Sequence, residues 1–482
     1  MDLIDDRERD SESAVTTKAY PHRRGHRVNM TVGPILPRIV QLAWPLVLAN
    51  TLQTIYNLAD MFWVGQRLHS TSAVAAVGIV FPTAWVLISI GTGITIAIAT
   101  FTAQYTGAEL HDRAGYYAAQ GIMMSAGLGL GLAAIGEAVR VPLLHFMGAR
   151  GAVFPLALSY VSVIFISVPF SYLFMAFSAA LRGSGDTLTA MKLMLVASLT
   201  NIVLDPLFIT GIGPIPRWGI KGAAIATLVA RFLAASVGVF YLLEGSKGIK
   251  IRLAHFKPDL AVMREILFLG APATADAAGR SFSSVAIMAL VTRFGAVVTA
   301  AYAIGVRVMS VVWGVSGAIG QATNAGVGQN LGARQSDRAE HVAWMSVGLA
   351  AALMTSVGFL AAIFAPHLVR FFIDDPATIA EGTVYLRTYG WFIGFWGGLI
   401  VLQGAFRGAG RTARAMALSY LDRWVIVLPL AYVVGYSLNR GPHGIWWAFP
   451  LADSVTFLVA AVWFRRGSWK RTLVREASAG SE

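Results

Sequence analysis

The chain of 482 residues contains no cysteine. That removes disulfides, thiolate metal sites, iron–sulfur clusters, thiol catalysis and lipidated cysteines together. Charge is scarce too: Lys, Arg, Asp and Glu make up 13% of the residues, about half the share in a soluble globular chain. A soluble protein of this length needs more charge than that to cover its surface. No GxxxxGK[ST] sequence is present, which argues against a self-contained ATP-driven pump, and HExxH is missing as well. His111, His145, His255, His341, His367 and His443 fall mostly at loops or span edges, without metal-ligand spacing. No catalytic set is visible, and an enzyme is not expected. The N-terminus is acidic (Asp2, Asp5, Asp6, Glu8) and has no short apolar core before residue 35. It does not read as a cleaved signal peptide.

What the chain does have is apolar surface. Hydrophobic residues make up 56% of it, enough for twelve spans of roughly 20–25 residues. Apolar runs broken by polar punctuation place them at 35–63, 73–100, 118–146, 154–180, 190–212, 219–243, 266–292, 297–320, 341–371, 379–405, 413–436 and 444–465. The runs are too long and too little alternating for barrel strands. The fold class expected is therefore an all-α polytopic membrane protein, with twelve transmembrane helices in two pseudo-symmetric six-helix lobes. GxG strings lie inside these spans with no preceding strand, so a nucleotide-binding fold is rejected. Aromatic and Met residues are plentiful, and most are expected to face lipid or fill packing.

The net charge of +13 does not point to nucleic acid, because the basic residues sit between apolar runs. With both termini on one side, that side carries Lys18, Arg23, Arg24, Arg27, Arg38, the linker cations Lys247 to Arg264 and the C-terminal group Arg465 to Arg475. It holds more than twice as many Lys and Arg as the other. Both termini are expected in the cytoplasm, with the chain multi-pass in the plasma membrane.

The chain also repeats itself. Pro45 in QLAWP matches Pro272 in FLGAP at an offset of 227, and Gly78 matches Gly305. After a two-residue deletion the offset is 225: Gly107-Ala108 matches Gly332-Ala333, ALRGSGDT matches AFRGAGRT, and Gly219-Ile220 matches Gly444-Ile445. The expected organisation is a cytoplasmic tail over 1–33, a first lobe over 34–243, a basic linker over 244–265, a second lobe over 266–465 and a tail over 466–482. Six spans per half give the halves parallel orientation about a central cleft, the plan of an alternating-access transporter.

Ionisable groups within spans are costly and are the first functional candidates. The first half offers Asp60 in QTIYNLADMFWVG and Asp205 in TNIVLDPLFI. Gln53, Tyr56 and Asn57 share roughly one helical face with Asp60, and Asn201 shares one with Asp205. Neither Asp has a basic residue three or four positions away. A carboxylate in a low-dielectric site without a cation favours its protonated form, so such a pair can load and release a proton. The neutral oxygens beside it also suit Na⁺, with Asp60, Asp205 and Asn201 as ligands. The alternative at each Asp is a structural carboxylate that caps a helix or bonds a neighbouring span. Pro206 removes a backbone donor just after Asp205 and is a candidate hinge. The second half lacks these acids: Ile287 and Leu430 stand at the matching positions. Asp276 and Arg280, four apart, are expected to neutralise each other. Arg231 is a candidate modulator of the first-half acids, and Arg307, Asp422, Arg423 and Asp453 remain candidate gating contacts.

These residues carry a resemblance. WPLVLANTLQTIYNLADMFWVG, SAALRGSGDT, TNIVLDPLFI, GIKGAAIATLVA and FRGAGRT together resemble the multidrug and toxic compound extrusion family, and its DinF-like prokaryotic branch most closely, over about residues 34–465. The resemblance implies efflux of organic cations or amphipathic drugs driven by an inward H⁺ or Na⁺ gradient, with no cofactor. It assigns cation coupling to Asp60, Asp205, Asn201, Tyr56, Asn57 and Gln53, and helix bending to Pro45. Another branch of the family places coupling acids in the second lobe. Here the tenth span has no acid, which favours first-lobe H⁺ chemistry.

Relatives with the same plan export lipid-linked or cell-envelope solutes. A basic central cavity favours that alternative, and a cavity dominated by Asp60, Asp205 and aromatics favours cationic drugs. A non-transporting scaffold is the remaining reading. Expected partners are small-molecule drugs and membrane lipids, with no nucleic acid and a monomeric chain.

Overall fold

The computed structural model describes residues 27–68, 70–211, 216–244 and 251–474. Sequence readings that fall on 1–26, 69, 212–215, 245–250 and 475–482, including most of both tails and part of the linker, lie outside the described residues.

The described residues are helical, with no strand among them. The spans are Ile35–Leu68, Thr71–Gly107, His111–Phe146, Val153–Gly183, Thr187–Thr210 and Ile220–Glu244 in the first half. The second half has Leu260–Thr292, Ala296–Gly332, Ser336–Ile363, the broken pair Pro376–Gly390 and Ile393–Gly408, then Thr412–Ser437 and Gly441–Arg465. They are numbered here as spans 1 to 12. Nine of the described helices are long and apolar enough to cross a membrane, and two bent pairs add two more. Span 7, with 33 residues and the polar Asp276 and Arg280, completes the twelve. Apolar side chains such as Leu130, Ile135, Val203 and Leu458 stand more than half exposed, a surface suited to lipid rather than water.

Three breaks are absent from the apolar pattern. The run 341–371, read as one span, ends as a helix at Ile363, and Pro366 begins a separate short helix, Ala365–Arg370. Span 10 bends by 53° between Gly390 and Ile393. There Gly390 packs against the Gly358 backbone so closely that a β-carbon at either residue would meet the other's carbonyl. Span 11 contains π-helical stretches at Leu421–Val427 and Val433–Ser437.

Spans 1 and 7 cross between the halves. Ile39, Leu42, Ala43 and Leu46 of span 1 belong to a core built with spans 8, 9 and 10. Reciprocally, Val262, Ile266 and Leu269 of span 7 join the core of spans 2 to 5. The helix of span 1 runs unbroken through Pro45, which frees the Gln41 carbonyl at this crossing.

The two halves close on each other where spans 2, 4, 8 and 10 end. Gln104 Nε2 donates to the Gly408 carbonyl (2.9 Å), and Gln329 Nε2 donates to the Gly183 carbonyl (3.3 Å). Gln104 matches Gln329, and Gly183 matches Gly408, at the offset of 225. A β-carbon at Gly107 would run into the Gln329 carbonyl, and one at Gly332 into the Gln104 carbonyl. The remaining oxygens are held alike: Gln329 Oε1 accepts from the Met30 amide (3.0 Å), and Gln104 Oε1 from the Leu473 amide (2.6 Å). Residues 27–33 and 466–474, assigned to tails from sequence, thus pack on this gate, with Met30 and Trp469 fully buried.

Candidate coupling site and central cavity

The first-half site rests on spans 1, 5 and 6. Span 5 starts from the RGSGD turn, where Gly185 adopts φ +87° and the Asp186 side chain accepts from the Thr189 amide (2.9 Å). Four turns on, Asn201 Nδ2 donates to Asp205 Oδ1 (3.1 Å) and to Thr227 Oγ1 of span 6 (3.3 Å). Thr227 Oγ1 lies 3.2 Å from the Tyr56 hydroxyl of span 1, so one polar chain links the three helices. Asp205 and Asn201 are fully buried. Asp60 lies within electrostatic reach of Asp205, and Tyr56 and Tyr160 sense both carboxylates. One oxygen of each carboxylate, Asp60 Oδ1 and Asp205 Oδ2, is buried without a hydrogen-bond partner, as are Asn201 Oδ1 and Ser198 Oγ. Unsatisfied buried acceptors are expensive, and here four lie on adjoining helices.

The other expected residues take different places. Gln53 Nε2 donates to Asn57 Oδ1 (3.1 Å), and Asn57 is exposed. Arg231 reaches Gln53 Oε1 (3.3 Å) and lies over the rings of Tyr56 (5.5 Å) and Phe174 (5.0 Å). It borders the acids without forming an ion pair with either. The span 5 helix continues through Pro206, whose carbonyl accepts from Thr210 Oγ1 (2.6 Å).

The matching helices of the second half, spans 7, 11 and 12, hold a different inventory. Asp276 and Arg280 pair as expected (3.3 Å), but the shorter contact is to Arg407 of span 10 (2.6 Å), a partner 131 residues away that no local spacing discloses. Asp422 pairs with Arg423 (3.1 Å) on the π-helical turn. Asp453 is fully buried beside Asp422, Arg423 and Tyr389, and neither of its oxygens accepts a hydrogen bond at normal distance. Arg307, by contrast, stands exposed on the cavity wall.

Between the halves lies a cavity of about 1070 Å³. Among the described residues, its wall includes Arg182, Arg280, Arg307, Arg407 and Arg423, a single carboxylate, Asp422, and aromatic rings such as Trp313 and Tyr302. Asp60 and Asp205 do not line it. The cavity is basic and aromatic, and the first-half acids sit apart from it. Among the described residues no group of three His, Cys, Asp or Glu could hold a metal ion.

Two six-helix bundles of parallel orientation, joined across a gate and enclosing a solute-sized cavity, make a multi-pass membrane transporter fold. The MatE family model matches residues 45–207 and again 272–433, one match per half. The chain belongs to the MatE family, the multidrug and toxic compound extrusion transporters, and is not an enzyme. It is 28% identical to the probable multidrug resistance protein YoeA of Bacillus subtilis over 86% of this chain and 90% of that protein. It is 26% identical to the FAD transporter of Shewanella oneidensis, over 89% of this chain and 94% of that one. Among solved structures, a multidrug resistance MATE family transporter in its outward-facing conformation superposes with a TM-score of 0.86 at 24% identity, over 93% of this chain and 99% of that one.

Proposed function

We propose that this chain is a secondary active exporter in the plasma membrane, termini in the cytoplasm, that moves small amphipathic molecules outward through the central cavity in exchange for H⁺. The observation that carries the coupling is the Asp60–Asp205 site: two neighbouring carboxylates, each with an unpaired buried oxygen, and no ion-paired cation. A carboxylate away from water and cations has a strong preference for a proton, and a second one nearby adds to it. Asn201, Thr227 and Tyr56 form the relay through which protonation at span 5 moves spans 1 and 6. Span 1 reaches the second-half core, so a change at Asp60 is transmitted across the gate. Pro45 and Pro206, each of which removes a backbone hydrogen bond inside a continuous helix, are the hinges assigned to spans 1 and 5. With the gate at the terminal side shut, the cavity faces outward and releases solute as the acid pair beside it loads a proton. Alternating access requires only that proton and solute favour different states.

Na⁺ is the second reading, supported by the oxygens of Asp60, Asp205 and Asn201 left without partners. The solute is left to the cavity, since the relatives' names cover drugs and a dinucleotide. The test is purified protein in liposomes with pH and Na⁺ gradients imposed separately. Solute flux driven by ΔpH alone and lost in Asp60→Asn supports proton exchange. Flux that requires Na⁺ reassigns the acids as Na⁺ ligands, and ΔpH-driven flux unchanged in Asp60→Asn overturns the site.

A further inference from the structure

We infer that the central cavity recognises an organic oxyanion, a solute carrying a phosphate or carboxylate group on a flat apolar body, and that Arg182 and Arg307 hold the charge. This rests on the export reading above and names the class of solute that the cavity takes.

Charge on the cavity wall does not balance. Five guanidinium groups meet three carboxylates: Asp422 on the wall, with Asp276 and Asp453 behind it. Asp276 is shared by Arg280 and Arg407, and Asp422 is taken by Arg423. Among the described residues, Arg182 and Arg307 have no carboxylate partner. Arg182 donates only to Ser178 Oγ (2.6 Å), and the exposed Arg307 side chain has no bonded partner.

The internal repeat sharpens this point. Arg182 and Arg407 match at the offset of 225, and each ends its span at the gate. Arg407 is neutralised by Asp276, whereas Ala49 occupies the matching position on span 1. One half therefore keeps the arginine without its acid. An unpaired guanidinium on a low-dielectric wall is costly, and a planar fork of donors fits a carboxylate or phosphate in two parallel bonds.

The arginines also run the depth of the cavity. Arg182 and Arg407 lie at the gate floor, Arg280 and Arg423 lie near mid-span, and Arg307 is eleven residues into span 8 from its opposite end. A simple organic cation finds no free carboxylate here. Trp313 and Trp396, with ring centroids 5.7 Å apart, supply a stacking surface and an optical reporter on the same wall.

The test is binding to the full-length protein in detergent, without any gradient, read by tryptophan quenching. The probes are FAD, riboflavin and ethidium: a flavin joined through two phosphates to adenosine, the same flavin without the diphosphate and adenosine, and a flat cation. FAD is expected to bind at least tenfold more tightly than riboflavin or ethidium. Arg307→Gln and Arg182→Gln should each weaken FAD about tenfold, the scale of a lost charge-assisted hydrogen bond, and leave riboflavin unmoved. Arg307 is exposed, so its variant keeps the test open if Arg182→Gln does not fold. Equal affinity for FAD and riboflavin, or tighter ethidium binding that improves in the Arg→Gln variants, overturns the inference. Repeating the titration in nanodiscs identifies the source of the anion. Competition by phosphatidylglycerol but not phosphatidylcholine assigns the site to a lipid headgroup, and no competition assigns it to a soluble anion. Because no gradient is present, intact FAD binding with no ΔpH-driven flux would fail the coupling reading and leave this one standing.

Discussion

The two halves of the molecule agree at the gate and disagree at mid-membrane. At the gate Gln104 and Gln329 perform the same exchange in opposite directions, and Gly107 and Gly332 permit the same close approach. In the seat formed by spans 1, 5 and 6, two carboxylates are left without a paired cation; in the matching seat of spans 7, 11 and 12, Asp276 and Asp422 are each bound to arginine, and Asp453 lies beside Arg423. Symmetry is kept where both lobes must close on each other. It is broken at the seat to which the proposed function assigns the proton.

The largest effects should come from attacking the shared part. Gly107→Val and Gly332→Val each drive a side chain into backbone that a more flexible neighbour cannot yield. Both should reduce liposome transport to background and to the same extent. A large loss in one alone would show that the gate is not functionally two-fold. Next come the unshared acids. Asp205→Asn should abolish the pH dependence of transport, whereas Asp453→Asn should retain it, as measured by flux against imposed ΔpH.

Smaller effects concern stability. Asp276→Asn leaves Arg280 and Arg407 facing each other without their anion; because both guanidinium groups reach the cavity, the cost falls below the roughly 3–5 kcal/mol of a fully buried pair. Thermal unfolding in detergent should show a clear fall, with no matching fall for Ala49→Ser in the other half. The smallest effect lies at the cap of span 7. Asp259 accepts from the Tyr116 hydroxyl (2.8 Å) and from the Ala261 and Val262 amides. The Tyr116 bond first, then those amides, hold its carboxyl below the usual carboxylate range. A group depressed on folding stabilises above its unfolded value, near 3.9, and loses that contribution as pH falls through the folded one. Asp259→Ala should therefore cost about 0.5–1 kcal/mol at neutral pH, with the difference from the parent vanishing in acid.

The repeat made the two-lobe plan legible, because Pro45/Pro272 and the RGxGxT turns hold register between two apolar patterns. Asp60 and Asp205 stood out for the same reason, since Ile287 and Leu430 occupy the matching positions of the repeat. Local spacing gave the Asp276–Arg280 pair but not Arg407, which arrives from span 10. Gln53 and Asn57 share the helical face of Asp60, yet the structure pairs them with each other, since face alone does not fix which neighbour a long amide reaches. The ends of spans 2 and 8 read as loop because Gln104 and Gln329 are polar. They are helical and buried because each finds a carbonyl on the opposite lobe. The 225 offset already matched them, and it was the signal that could have found the gate. The charge of the cavity was not legible at all, since its arginines come from spans 4, 7, 8, 10 and 11.

Coupling through the first lobe is read from proton exchange by the purified protein. A transported solute is added to weakly buffered detergent solution, and the pH change is recorded for the parent, Asp60→Asn, Asp205→Asn, Asp422→Asn and Asp453→Asn. Solute-induced proton release that disappears in the two first-half variants and persists in the two second-half variants is the predicted result. Release that persists without Asp60 and Asp205, or that disappears with Asp422 or Asp453, would contradict the assignment of coupling to the first lobe.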